Sequence, residues 1–154
     1  MMDTVPRPHD FQPDIDAVGR IKAVPMILDV ICRTTGMGFA AVARVTEDRW
    51  IICEVRDSID FGLAPGGELA VRTTICNDIR QCGEAVVIDD TSTDEIYCGH
   101  PTPARYGFRS YISMPIIRAD GSFFGTLCAI DPRPRDRGDL PAVRTADRDA
   151  ARCR

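Results

Sequence analysis

The sequence predicts an α+β fold, in which helices pack on a central, mainly antiparallel sheet of five or six strands. Apolar patterns follow one another in the order helix, two strands, helix, strand, long connection, two strands. The strand pairs are separated by turns of hairpin length, which join antiparallel neighbours. The chain has 154 residues, 44% of them hydrophobic, which is enough for the core of one domain.

The first helix is predicted between Asp14, a residue type that favours the N-cap, and Gly36, which favours a helix end. Residues 1–13 are mostly polar with several prolines, so we expect a flexible arm before this helix. Pro25 lies in the middle of the pattern and predicts a kink. Apolar residues recur every three or four positions and predict the buried face: Ile15, Val18, Ile21, Val24, Leu28 and Ile31.

Two strands are predicted next, at Phe39–Val45 and at 50–55, because both runs are apolar and bounded by polar turns. A loop is predicted at 62–67 from its Gly and Pro content. Residues 69–82 then predict a second helix that ends at Gly83. The predicted inner face of this helix consists of Leu69, Ile75, Cys76 and Ile79.

A short buried strand is predicted at 85–88, followed by a long connection at 91–107, a type of segment that often carries function. Two more strands, Ser110–Ile117 and 123–130, flank the turn residues Asp120-Gly121 and predict a hairpin.

The composition changes after this hairpin. Residues 132–154 are rich in Pro, Arg and Asp and contain few large apolar side chains. We therefore expect a weakly anchored or disordered tail, and a single domain at 14–131.

Charge and hydropathy exclude several classes of partner. The net charge is −4, whereas nucleic-acid affinity comes largely from Lys and Arg that neutralise phosphates, so we expect no nucleic-acid partner. No run approaches the roughly 18 apolar residues of a membrane span. The polar N-terminus does not resemble a signal peptide, so we expect a cytoplasmic protein. The seven cysteines lie mostly in apolar runs and are expected to be reduced, buried thiols.

Residues 83–131 contain three features in a fixed order. The first is a short strand that ends in an acidic pair, VIDD at 87–90. The second is RSYISMPI at 109–116, and the third is FGTLCAID at 124–131. Their order and spacing resemble the GAF domains at the input end of bacterial sensor histidine kinases, and a looser likeness spans 14–131.

The resemblance implies a sheet with the first helix on one face and a ligand pocket on the other, capped by segments 56–82 and 91–107. It implies a small-molecule-binding sensory domain, a fragment of a sensor histidine kinase, with no catalytic activity of its own. Family members bind cyclic nucleotides, bilins, haem or other small molecules, so no cofactor is specified. They commonly dimerise through terminal helices, which implies a homodimer through the N-terminal helix. Residues 132–154 depart from the pattern, because they lack the apolar face of the family's last helix.

Seven side chains in and after the long connection are candidate ligand contacts. Aromatic rings offer stacking area, while His100 and Arg109 offer donors to an anionic or carbonyl-bearing ligand. In the alternative interpretation, Phe108 and Tyr111 fill the core and Arg109 is a solvated charge. The seven candidates are Tyr97, Cys98, His100, Tyr106, Phe108, Arg109 and Tyr111.

The cysteines leave two further hypotheses open. Cys98 lies near His100, in the segment where bilin-binding relatives place a Cys–His pair, and its thiolate would add to a bilin. Alternatively, Cys82 and Cys98 would serve an enzyme of the free methionine sulfoxide reductase type. A zinc site is disfavoured, because Cys76 and Cys82 lie outside the usual spacing of ligand pairs. We predict no catalytic residue and no metal ligand.

Overall fold

The computed structural model of the chain describes residues 11–71, 74–94 and 97–135, with only the backbone described at 77, 78 and 82. Residues 1–10 of the predicted arm and 136–154 of the predicted tail lie outside these ranges. In the described residues, helices pack on both faces of one antiparallel sheet, which confirms the predicted fold class.

The sheet has six strands in the described part of the chain, and each pair of neighbours is antiparallel. The strands are β1 (Phe39–Val45), β2 (Arg49–Asp57), β3 (Glu68–Ala70), β4 (Val86–Ile88), β5 (Ser110–Ile117) and β6 (Phe123–Asp131). Their order across the sheet is β3-β2-β1-β6-β5-β4. The two hairpins predicted from turn chemistry, β1–β2 and β5–β6, therefore flank the central pairing of β1 with β6.

Four helices accompany these strands in the described residues: α1 (Gln12–Gly19), α2 (Ala23–Thr35), α3 (Cys76–Cys82) and α4 (Pro101–Tyr106). The prediction of one long first helix with a kink at Pro25 is wrong. The break lies at residues 20–22, and Pro25 is in the first turn of α2, where a backbone N–H has no partner within the helix. Gly36 ends α2 in the left-handed conformation as predicted, with φ 71°.

Asp14 is not the N-cap that its residue type predicts, because α1 begins earlier and Phe11 is the cap residue. The Asp14 carboxylate instead accepts from Arg44 on β1, with Oδ2 3.3 Å from Nε. Phe11 is buried, and the guanidinium of Arg49 lies 4.5 Å from its ring centre. An ion pair and a cation–π contact thus fix α1 to the sheet.

The second predicted helix, at 69–82, is also shorter than its apolar pattern indicates. Leu69 lies on β3, where it pairs with Trp50 of β2, and the helix α3 begins only at Cys76. Backbone bonds between Ile52 and the turn at Gly66 and Gly67 lead the chain into β3. Pairing with the edge of β2 therefore overrides the helical spacing of Leu69.

The alternation of side chains along the strands divides the core into two layers. On β1, one face carries Phe39 and Ala41, and the other carries Ala40 and Val42. We call the first the pocket face, which α3 and the 97–111 segment cover, and the second the helix face, which α1 and α2 cover. Leu28 of α2 is 1% exposed against the helix face, and burial of such a side chain contributes about 2 kcal/mol.

Gly125 on β6 lies directly against the backbone of β1. A Cβ atom at this position would lie 1.8 Å from the carbonyl oxygen of Ala43 on β1. No side chain shift relieves that contact, because the obstructing atoms belong to the backbone. The central β1–β6 pairing therefore requires glycine here.

Gly125→Ala is expected to lower the free energy of unfolding by about 2 kcal/mol or more, because overpacking at a backbone contact forces the two central strands apart. Urea unfolding followed by circular dichroism measures this effect. Gly99→Ala is the matched control, since a Cβ at Gly99 meets no atom within 4 Å. Equal stability of the two variants would contradict the close approach.

Candidate functional site

The pocket face contains two adjacent depressions. The inner one, here called the cavity, has a volume of about 40 Å³ and lies between the sheet, α3 and α4. The outer one, here called the groove, has a volume of about 470 Å³ and opens beside α4. Five side chains line both and form the wall between them: Phe61, Leu69, Tyr106, Phe108 and Ile130.

The groove and the cavity differ in what they can hold. A buried water needs a cavity of roughly 10–15 Å³. The cavity of about 40 Å³ therefore accommodates a molecule of only a few heavy atoms. The groove falls within the roughly 300–1,000 Å³ of small-molecule sites. Its polar side chains are Asp60 and Arg105, and the rest of its wall is largely apolar. The arrangement suits a ligand with an apolar body and one polar or charged end.

One wall of the groove is the loop after β2, and Asp57 holds this loop. Its carboxylate accepts from the backbone N–H groups of Ile59 at 3.0 Å, Phe61 at 3.1 Å and Gly62 at 2.9 Å. Burial acts to raise the pKa of Asp57, but these N–H donors outweigh it and lower the pKa. The ionised carboxylate is therefore the form that the folded loop favours.

The opposite wall is α4, whose start and end are both defined by local chemistry. His100 is the N-cap, and its Nδ1 accepts from the backbone N–H of Thr102 at 3.2 Å. Pro101 occupies the first helical position, where its fixed φ suits the helix. Gly107 ends the helix at φ 73°, so that Tyr106 and Phe108 both line the groove. The short helix thus presents two aromatic rings to the site.

A polar cluster lies in the wall of the otherwise apolar cavity. The sulfur of Cys76 is 3.2 Å from Thr126 Oγ1, 3.3 Å from Tyr111 Oη and 3.8 Å from Ser113 Oγ. Hydrogen bonds from Cys128 first, then Thr126 and Tyr111, lower the pKa of the Cys76 thiol against the effect of burial. The bond to Cys76 and burial raise the pKa of Cys128, so Cys76 is the sulfur on which negative charge is favoured.

Trp50 adds an unsatisfied donor to the same wall. Its side chain lines the cavity and is 3% exposed, and its indole Nε1 has no hydrogen-bond partner among the described residues. The indole has the smallest effect among the groups that lower the pKa of Cys76, so it lies near that sulfur without a well-formed hydrogen bond. A buried N–H without a partner is uncommon, so this donor is an unsatisfied group in the core beside Cys76.

Three of the seven predicted contact residues come together at the site. Tyr106, Phe108 and Tyr111 line the cavity, and the first two also line the groove. The rings of Phe108 and Tyr111 stack with their centres 5.4 Å apart. Both are buried, so the alternative interpretation that they fill the core also describes their position.

The other four predicted residues line neither depression. Tyr97 is half-buried with its ring centre 5.8 Å from that of His100, and His100 caps α4. Cys98 is exposed. Arg109 is half-exposed and pairs with Asp90, with Nη2 2.8 Å from Oδ2, as a surface charge. Contact between these residues and a ligand stays a prediction.

Sequence reasoning missed several residues that line the site. Phe61 and Leu69 lie in a loop and on a short edge strand, where no periodic pattern identifies their direction. Trp50 and Cys128 carry a signal that was available, because strand alternation places them on the same face as Phe39 and Ile130. The seven predicted contacts all lie between Tyr97 and Tyr111, in and after the long connection.

A family model described as GAF domain matches residues 20–151, and no curated protein sequence matches the chain. The fold is similar to that of the GAF domain of a two-component sensor histidine kinase from Bacillus halodurans, at 12% identity and a TM-score of 0.54, over 81% of this chain and 79% of that one.

Two further solved structures have the same fold. One is free methionine-R-sulfoxide reductase from Neisseria meningitidis, at 18% identity and a TM-score of 0.51, over 79% of this chain and 71% of that one. The other is the GAF domain of an Acinetobacter phosphoenolpyruvate-protein phosphotransferase, at 14% identity and a TM-score of 0.52. That alignment covers 72% of this chain and 65% of that one, which is less than two thirds of its length. At these identities the likeness shows the fold alone.

Asp57→Asn is expected to lower the free energy of unfolding by about 1 kcal/mol at neutral pH, because an amide oxygen is a weaker acceptor for the loop N–H groups. The folded pKa of Asp57 is lowered, so the carboxylate stabilises the fold fully above its unfolded pKa of about 3.9. This contribution is lost as the pH falls through the folded value.

Urea unfolding of both proteins from pH 7 to pH 3 measures this difference, which should shrink on acidification. Asp48→Asn is the control, since Asp48 is exposed in the turn between β1 and β2. A difference that stays constant down to pH 3 would show that the carboxylate does not hold the loop.

Proposed function

The chain belongs to the GAF domain family, and from that premise we propose that it is a small-molecule-binding sensory domain, the input part of a bacterial sensor histidine kinase. The observation that carries the proposal is the groove of about 470 Å³, lined by Phe61, Tyr106 and Phe108 and opposite the face that α1 and α2 cover. The shared fold of the Bacillus halodurans sensor kinase domain supports the histidine kinase assignment.

The groove walls favour one class of ligand. Phe61 and Tyr106 provide aromatic surface for an apolar, planar body, with their ring centres 6.2 Å apart. Arg105 at the rim provides a cation for a carboxylate, phosphate or carbonyl group, while Asp60 disfavours an extended anion. We therefore propose a ligand with an aromatic or alicyclic body and a single anionic or carbonyl end.

Transmission of the signal is proposed to use a homodimer through the N-terminal helices. On α2, Met26 is 68% exposed, Ile27 46% and Val30 54%, and their spacing places them on one side of the helix. A row of exposed apolar side chains of this kind favours association. A ligand that binds one dimer arrangement more tightly shifts the population toward it.

The alternatives involving cysteine chemistry have less support. Cys98 is exposed and lines neither the groove nor the cavity, so a bilin attached there would lie outside the site. The same position separates Cys98 from a substrate bound in the groove. We propose that the chain has no catalytic activity of its own and acts in the cytoplasm. The described residues contain no helix that is long and apolar enough to cross a membrane.

We expect no visible absorbance after expression with a bilin source, and no consumption of methionine sulfoxide in a thiol-coupled assay. A coloured protein would support the photoreceptor hypothesis, and turnover would support the reductase hypothesis. Either result would overturn the proposed function.

A thermal-shift screen against nucleotides and aromatic or alicyclic acids tests ligand binding. A ligand at 100 times its Kd adds about 2.7 kcal/mol to the stability of the native state and raises its Tm by several degrees. Leu63→Glu is expected to abolish this rise, because it introduces a charge into the groove wall. Ala64→Glu is the control, because Ala64 is exposed beside the groove and does not line it. A rise that survives in the Leu63 variant would place the ligand elsewhere.

Val30→Glu is expected to convert a dimer into a monomer, because it places a charge in the exposed apolar row of α2. Sedimentation velocity at micromolar concentration measures the change. Ala17→Glu on the exposed side of α1 is the control. A wild-type chain that sediments as a monomer would contradict the proposed dimer.

A further inference from the structure

We infer that Cys76 and Cys128 form a redox-active thiol pair, which a hydroperoxide small enough to enter the cavity oxidises to a disulfide. This site is separate from the groove and does not depend on the ligand proposed there. It uses two cysteines of the core, whereas the thiol hypotheses drawn from the sequence used Cys82 and Cys98.

The sheet register places the two cysteines beside each other. Cys76 contacts Thr126 and Ser113, which are two of the neighbours of Cys128 on the pocket face. Thr126 precedes Cys128 by two residues on β6, and Ser113 lies directly opposite Cys128 on β5. Both cysteines line the cavity, and Cys128 is the first of the side chains that lower the pKa of Cys76. The two thiols therefore lie close together at the cavity wall.

The surroundings of Cys76 favour a nucleophilic sulfur. The hydroxyl groups of Tyr111 and Thr126 lie within hydrogen-bond distance and can donate to a thiolate. The indole of Trp50 lies near the same sulfur and also favours its negative charge. A thiolate that is held by donors, with a second thiol beside it, is the arrangement in which a sulfenic acid condenses to a disulfide.

The volume of the cavity selects the oxidant. About 40 Å³ accommodates hydrogen peroxide, whose two heavy atoms correspond to roughly two waters. A branched organic hydroperoxide exceeds this volume. We therefore expect hydrogen peroxide to react much faster than tert-butyl hydroperoxide.

The reaction balances without another reactant. The Cys76 thiolate attacks one peroxide oxygen, the O–O bond breaks, and the departing hydroxide takes the proton that the thiol released. The product is a sulfenic acid and one water. The Cys128 sulfur then attacks the Cys76 sulfur, the S–O bond breaks, and the hydroxide leaves as a second water with the proton of Cys128. The two thiols lose two electrons to the peroxide.

Peptide mapping of the whole chain after treatment with hydrogen peroxide tests the inference. We expect one peptide pair joined through Cys76 and Cys128, lighter than the two thiol peptides by two hydrogen atoms, and restored by dithiothreitol. The Cys98→Ser variant should form the same link, because Cys98 is exposed and distant from the cavity. A link between other cysteines, oxidation of Cys98 alone, or an unmodified Cys76 would overturn the inference.

Fluorescence provides a second readout that does not require a variant to fold. Trp50 is the single tryptophan of the chain and lies beside Cys76, so a disulfide there is expected to quench its emission. Hydrogen peroxide should lower the emission of the wild-type chain, dithiothreitol should restore it, and tert-butyl hydroperoxide should have little effect. Unchanged emission, or an equal response to both oxidants, would contradict a reaction inside the cavity.

Discussion

The pairing of β1 with β6 in the middle of the sheet is the constraint on which the rest of the structure depends. It brings Gly125 against the backbone of Ala43 and fixes which side chains of each strand face the pocket and which face the helices. Because both faces are buried in the centre, a shift of one residue would exchange the two layers. Helices α1 and α2 cover the helix face, and the pocket face is left for a ligand site.

The pocket face carries two separate spaces, the small cavity in the apolar core and the larger groove, which a ligand can reach. The sheet, α3 and α4 line a small cavity, while the loop held by Asp57 and the capped helix after His100 form the walls of a larger groove. Defined loop geometry lowers the entropic cost of binding, since these walls are ordered before a ligand arrives. The polar cluster around Cys76 belongs to the cavity, so ligand binding and thiol chemistry need not compete.

Much of the fold could be predicted from the sequence, because strand alternation and Asp120-Gly121 are local signals. The errors arose where tertiary contacts override such signals. Leu69 continues a helical pattern, yet it pairs with β2 as an edge strand, and Pro25 lies in a helix because its position in the first turn tolerates it. Within the site, aromatic residues after α4 were identified from composition. The position of Cys128 beside Cys76 depends on the strand register and on where α3 packs. No sequence pattern within a single segment reveals either of these.

The proposed sensory function depends most on the binding of a small molecule in the groove. Methyl-labelled protein, titrated with the ligand that gives the largest thermal shift, tests this claim by nuclear magnetic resonance. We predict that the methyl signals of Ile59, Leu63 and Leu69 move in proportion to occupancy, because these side chains line the groove. Shifts confined to Met26 and Val30 on α2, with the groove signals unchanged, would contradict it.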